Sequence, residues 1–190
     1  MRDLPASGIA PVAEAEAAGD IADEYADIRR VLELPFVPNF FKATAQAPQV
    51  LAGSWALERN LFLETSLPMP LAAMILLAIS AARNSEYCTS VHRLTCQSLG
   101  IDEPTLLALQ GDPSALPPGQ ERAAVRFALK AALEPRSLGR ADYGAVRDEG
   151  FGDRELVELA GLAALGNYLD TLADTLQVPL DDIVRQALAG

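Results

Sequence analysis

The run Leu71-Ala-Ala-Met-Ile-Leu-Leu-Ala-Ile-Ser-Ala-Ala-Arg-Asn-Ser-Glu-Tyr-Cys-Thr-Ser-Val-His92 decides how the rest of this chain is read. From Leu71 to Ala82 it is apolar on nearly every side, a pattern that suits a helix enclosed by other helices. Arg83-Asn84-Ser85 ends that helix, and a second one follows, carrying Cys88 and, four residues later, the single histidine, His92. Residues four apart share a helix face, so thiol and imidazole are expected within reach of each other. With Asn84 or Ser85 as the cap, Cys88 falls in the first turn, where unpaired N–H groups and the helix dipole favour a thiolate. An imidazole beside it can take its proton or pair with the anion. Glu86 and an apolar surround act in the opposite direction.

Working outward, almost every segment reads as helix, with Gly and Pro between the periodic blocks and no convincing strand. Asp20 is placed to cap an amphipathic helix, Ile21 to Leu32, and Leu34-Pro-Phe-Val-Pro-Asn39 breaks it, with Asn39 placed to cap a short turn containing Phe40 and Phe41. Pro48 opens the next helix, through Trp55 to about Leu63. The Cys/His helix spans Ser85 to Leu99 and stops at Gly100. A short helix runs from Asp102 to Gly111. The Pro-rich Asp112–Gly119 loop then divides a first half, 20–111, from a second half, 120–190, within one expected domain of residues 1–190. Gln120 to Leu133, Tyr143 to Asp148, Asp153 to Leu176 and a turn after Pro179 complete the helices. Leu156 to Asn167 faintly echoes the central helix but carries no Cys or His, so the site is expected in the first half, with the second as packing partner.

The formal charge is -11, from 15 basic and 26 acidic residues, which argues against nucleic-acid or anionic-membrane partners. Met1-Arg-Asp-Leu-Pro-Ala-Ser-Gly8 lacks the apolar core of a signal peptide, and no run is long enough for a membrane span. A cytoplasmic location is the expectation, and there cysteines are more often free or reactive than crosslinked. Cys88 and Cys96 are eight residues apart, roughly 12 Å along a helix, beyond the ~7 Å limit for a disulfide. Cys96 therefore reads as core. Cys88, His92 and Cys96 also fit a metal stripe, but one histidine and two cysteines are short of a zinc set, and neither metal nor cofactor is expected.

The Leu67–His92 segment resembles the core motif of the alkylhydroperoxidase D-like / carboxymuconolactone decarboxylase family. Val37-Pro-Asn-Phe-Phe-Lys42 with Ala47-Pro48, Gly150-Phe-Gly-Asp-Arg-Glu-Leu-Val-Glu158, Asn167 and Leu176-Gln-Val-Pro179 are similar to its peroxidase-related subgroup. The resemblance implies an all-α helical bundle of two related halves, assembled as a trimer, dimer or hexamer. In the family's peroxidase branch, a Cys-x-x-Cys pair reduces peroxide, helped by a downstream His and an upstream Glu. The second cysteine falls on Cys88 and the histidine on His92, but the first cysteine falls on Ser85 and the glutamate on Ala73.

Three functions follow. The first is a thiol protein with peroxidase-like, antioxidant activity, in which Cys88 attacks, His92 tunes its protonation, Ser85 donates a hydrogen bond, and an external thiol or Cys96 of another subunit resolves the product. The second is a decarboxylase-like enzyme with His92 as general acid/base, which calls for Arg83 or Arg93 beside it to hold a carboxylate. The third is an oligomeric family member without catalysis. Trp55, Phe40, Phe41 and Tyr87 read as core or subunit contacts.

Overall fold

A computed structural model describes residues 7–189, and among them the fold is entirely helical. The reading of Met1 to Ala6 as lacking a signal-peptide core lies outside the described residues. No helix among those described is long and apolar enough to cross a membrane.

Ten α-helices follow in order: α1 Asp20–Leu32, α2 Asn39–Thr44, α3 Pro48–Glu58, α4 Met69–Ala82, α5 Glu86–Ser98, α6 Glu103–Gln110, α7 Gln120–Leu133, α8 Arg140–Asp148, α9 Asp153–Leu176 and α10 Asp182–Ala189. Helix α4 is the hub, packed against α5, α6, α7 and α9. Every residue from Leu71 to Ser80 is buried. Each enclosed Leu or Ile contributes about 1.5–3 kcal/mol relative to an exposed one. Ser80 is the polar exception, and its hydroxyl donates to Asp170 of α9 at 2.7 Å.

The turn from α4 into α5 sets the position of everything after it. Asn84 takes the left-handed conformation, φ 58°, which asparagine tolerates better than branched residues do. The amide of Ser85 then reaches back to the Ser80 carbonyl at 3.0 Å, closing α4 with the six-to-one bond of a Schellman turn. At the other side of the core, Gly166 lets α9 approach α4 closely, since a Cβ there would lie 3.0 Å from Ile79 Cγ2.

Two stretches depart from the sequence reading. The helix expected to run from Pro48 to about Leu63 changes pitch after Glu58 and finishes as a π-helical turn, Arg59–Leu63. Asn39 does not cap α2. Its side chain instead donates to the Pro179 carbonyl at 3.0 Å, and its backbone amide donates to Asp181 at 2.8 Å, tying α2 to the segment before α10. The Asp112–Gly119 loop is pinned as well: Leu116 is buried, and its carbonyl accepts from Arg122 at 3.3 Å.

Candidate functional site

Cys88 and His92, four residues apart on α5, both line one cavity of about 390 Å³. Its walls are mainly apolar, with Phe40 and Phe41 from α2, Phe62 from the π turn and Leu169 from α9. The aromatics expected to be core or contact residues thus include two that line the cavity, together with Tyr87. Trp55 is core, donating its indole N–H to Asp27 at 2.8 Å.

The expectation that the helix start and the imidazole make Cys88 acidic does not hold in this fold. Burial pushes the thiol well above its ordinary range, and the negative charges of Asp170 and Asp174 add to the shift, against a smaller lowering by Ser85. The imidazole supplies no positive charge at neutral pH, because burial drives His92 down to about 4. Its Nε2 is buried without a hydrogen-bond partner, at a residue that lines the cavity.

Ser85 stands at the N-terminal cap position of α5 but does not cap it. Its hydroxyl donates to Asp174 at 2.7 Å, holding the first turn of α5 against α9 while staying within hydrogen-bonding reach of the Cys88 sulfur. Ala73 is fully buried inside α4, as a hub position requires. Cys96 is likewise fully enclosed, its thiol pushed up to about 12 by burial, and it takes no part in the cavity.

Two acidic groups escaped the sequence reading. Glu58, at the end of α3, also lines the cavity, and burial pushes its carboxyl up to about 7. The sequence sign for it is faint, one carboxylate ahead of an apolar Leu61-Phe62-Leu63 run. Asp170 is completely buried behind Cys88. It lies on the buried stripe of α9 formed by Leu159, Leu162, Gly166, Leu169 and Ala173. A lone carboxylate on such a stripe is a legible signal, because an uncompensated buried charge is costly. The second half is therefore more than a packing partner: α9 contributes Asp170 and Asp174 around the sulfur.

Neither arginine expected beside His92 is there. Arg83 Nε lies 3.1 Å from Asp170 Oδ2, and Arg93 holds Glu103 at 2.7 Å and Gln110 at 3.1 Å. Among the described residues no group of three or more His, Cys, Asp or Glu side chains is placed to hold a metal ion.

No family profile matches the chain, and no curated protein matches it in sequence. Solved structures do. A peroxidase-related protein from Ralstonia eutropha JMP134 with an alkylhydroperoxidase AhpD core is 26% identical over 93% of both chains, with a TM-score of 0.82. A peroxidase-related protein from Silicibacter sp. TM1040 is 21% identical over 97% of both chains, with a TM-score of 0.81. The debrominase Bmp8, as a cysteine-to-alanine variant in complex with 2,3,4-tribromopyrrole, shares the fold at 17% identity over 95% of both chains, with a TM-score of 0.79.

Proposed function

Since the chain belongs, by fold and by motif, to the alkylhydroperoxidase D-like family, we propose that it reduces a small, largely apolar electrophile, foremost an organic hydroperoxide, through Cys88. The observation that carries this reading is a thiol, an unpartnered imidazole nitrogen and a carboxyl titrating near 7 around one apolar cavity.

Cys88 Sγ attacks the distal peroxide oxygen, an S–O bond forms as the O–O bond breaks, and the thiol becomes a sulfenic acid. His92 Nε2 hydrogen-bonds the bound peroxide, and Glu58, protonated up to about pH 7, gives a proton to the departing alkoxide. The proton lost by the thiol reprotonates Glu58 by the close of the cycle, so that thiol and hydroperoxide give sulfenic acid and alcohol. Ser85 donates a hydrogen bond toward the sulfur whenever it releases Asp174. No second thiol of the chain shares the cavity, so a small external thiol completes the cycle through a mixed disulfide. Assembly as a homo-oligomer in the cytoplasm belongs to the same proposal. The absence of Arg83 and Arg93 from the cavity disfavours a carboxylate substrate and with it the decarboxylase-like function.

The test is brief exposure to cumene hydroperoxide with a sulfenic-acid trap, the oxidised sulfur located by mass spectrometry. Cys88 is expected to be trapped at least tenfold faster than Cys96, and His92→Ala is expected to slow it by about 10²-fold, the scale of a lost acid–base group. Trapping at Cys88 no faster than at Cys96 would instead assign the chain to the non-catalytic members of its fold. Tribromopyrrole, the ligand of Bmp8, belongs in the same panel because the cavity also suits a flat apolar ring.

A further inference from the structure

Asp170 is fully buried, yet its carboxylate is only partly compensated. Ser80 donates to Oδ1 at 2.7 Å, while Oδ2, with Arg83 Nε 3.1 Å away, has no aligned hydrogen bond. An ionised carboxylate in a helical core is expensive to keep, and a helix-to-helix tie between α4 and α9 could be made by neutral groups. What distinguishes this position is its neighbour, because the carboxylate of Asp170 bears on the Cys88 thiol across the packed α5–α9 contact.

We propose that Asp170 is the base that takes the Cys88 proton as the sulfur attacks, so that nucleophile and base come from opposite halves of the chain. The groups facing this carboxylate are Ser80 from α4, Arg83 just after it, Cys88 from α5, and Asp174 one turn along α9, which in turn accepts from Ser85. Burial raises the Asp170 carboxyl, and the Arg83 guanidinium opposes that shift and favours the ionised form. Ser85, bound to Asp174 at 2.7 Å, ties the start of α5, where Cys88 stands, to α9. His92 lines the cavity together with Cys88 and is left free for the substrate, which accounts for its unpartnered Nε2. The thiol stays protonated, and therefore protected, until an electrophile is in place. In the attack the S–H proton passes to the Asp170 carboxylate while the new bond to sulfur forms and the leaving group departs with its electron pair.

This inference rests on Cys88 being the nucleophile, but iodoacetamide tests it without any peroxide activity. The S–C bond forms, iodide leaves, the proton goes to Asp170, and the adduct is read by mass spectrometry with Cys96 as internal reference. The two roles of Asp170 predict opposite signs. If it acts only as a negative charge, Asp170→Asn makes the thiol more acidic and Cys88 alkylates faster at pH 7. If it is the base, the same variant alkylates about 10²-fold more slowly.

Where Asp170→Asn fails to fold, the wild-type pH profile decides. A base already ionised gives a rate that is flat from pH 6 to 8, whereas attack by preformed thiolate gives a tenfold rise per pH unit. The profile is repeated in Glu58→Gln, to remove the titration of Glu58 from that window. A faster or unchanged Asp170→Asn, a wild-type rate with unit slope, or a Cys88 inert to iodoacetamide in the folded protein would each overturn the proposal.

Discussion

Burial moves His92 and Glu58 in opposite directions along the pH axis, and each movement is also a statement about stability. His92 ionises near 6.5 when unfolded but only near 4 in the fold, so the unfolded chain binds the extra proton between those values. Stability is therefore complete above about pH 6.5 and drains away as the pH falls toward 4. His92→Gln is expected to remove up to ~3 kcal/mol of this acid-side loss, measured as the urea midpoint against pH. Glu58 works the other way: raised from 4.5 to about 7, it favours the fold below pH 4.5, an advantage lost as the pH rises through 7. Glu58→Gln should abolish that alkaline loss and, under the proposed mechanism, the decline in peroxide turnover above pH 7. Between about pH 4.5 and 6.5 the two slopes oppose each other, so the wild type should be flatter there than either variant. Cys88 and His92 were legible because an i, i+4 pair on one helix is a local pattern. Glu58 was not, since its place in the cavity depends on tertiary packing around the end of α3, and its acidity is a property of that burial.

At the scale of the element, the close approach of α9 to α4 is the most exacting feature. Gly166→Ala puts a methyl carbon 3.0 Å from Ile79, and overpacking of this kind costs about 1–3 kcal/mol. Combining it with Ile79→Val, which trims the opposing side chain, should recover part of that loss in urea denaturation, so the two changes should not be additive. The helices themselves were largely readable: α7 begins and ends where its periodicity predicts, and α9 runs from Asp153 to Leu176 as expected. The π turn was not readable, because a change from i→i+4 to i→i+5 bonding leaves no mark in composition. It matters nonetheless, since one extra residue in the turn sets the facing of Phe62 relative to Glu58, and such turns frequently occur at functional sites. Ser85 stands at the cap position the sequence offered, but its bonding was unreadable for a related reason: a serine there can bond the first turn of its own helix or a distant group, and packing gives it Asp174.

Across the whole molecule, a polar tie fastens the chain's end to the site. Tyr87 donates to Asp181 at 2.8 Å and accepts from the Phe40 amide at 3.2 Å, while Asp181 also accepts from the Asn39 amide. Tyr87→Phe leaves both Asp181 and the Phe40 amide short of a partner, at a cost of about 1–3 kcal/mol. Hydrogen exchange should show the loss first in α10. The cavity behind that tie has a further consequence for the company the sulfur keeps. Cys88 is only 3% exposed and is met through an apolar space of about 390 Å³, so admission is by size before it is by reactivity. Bulky maleimide conjugates should leave Cys88 unlabelled under conditions where iodoacetamide enters. The fold acts as a sieve, and its thiol is out of reach of other proteins' disulfides, answering only to guests small and greasy enough to pass.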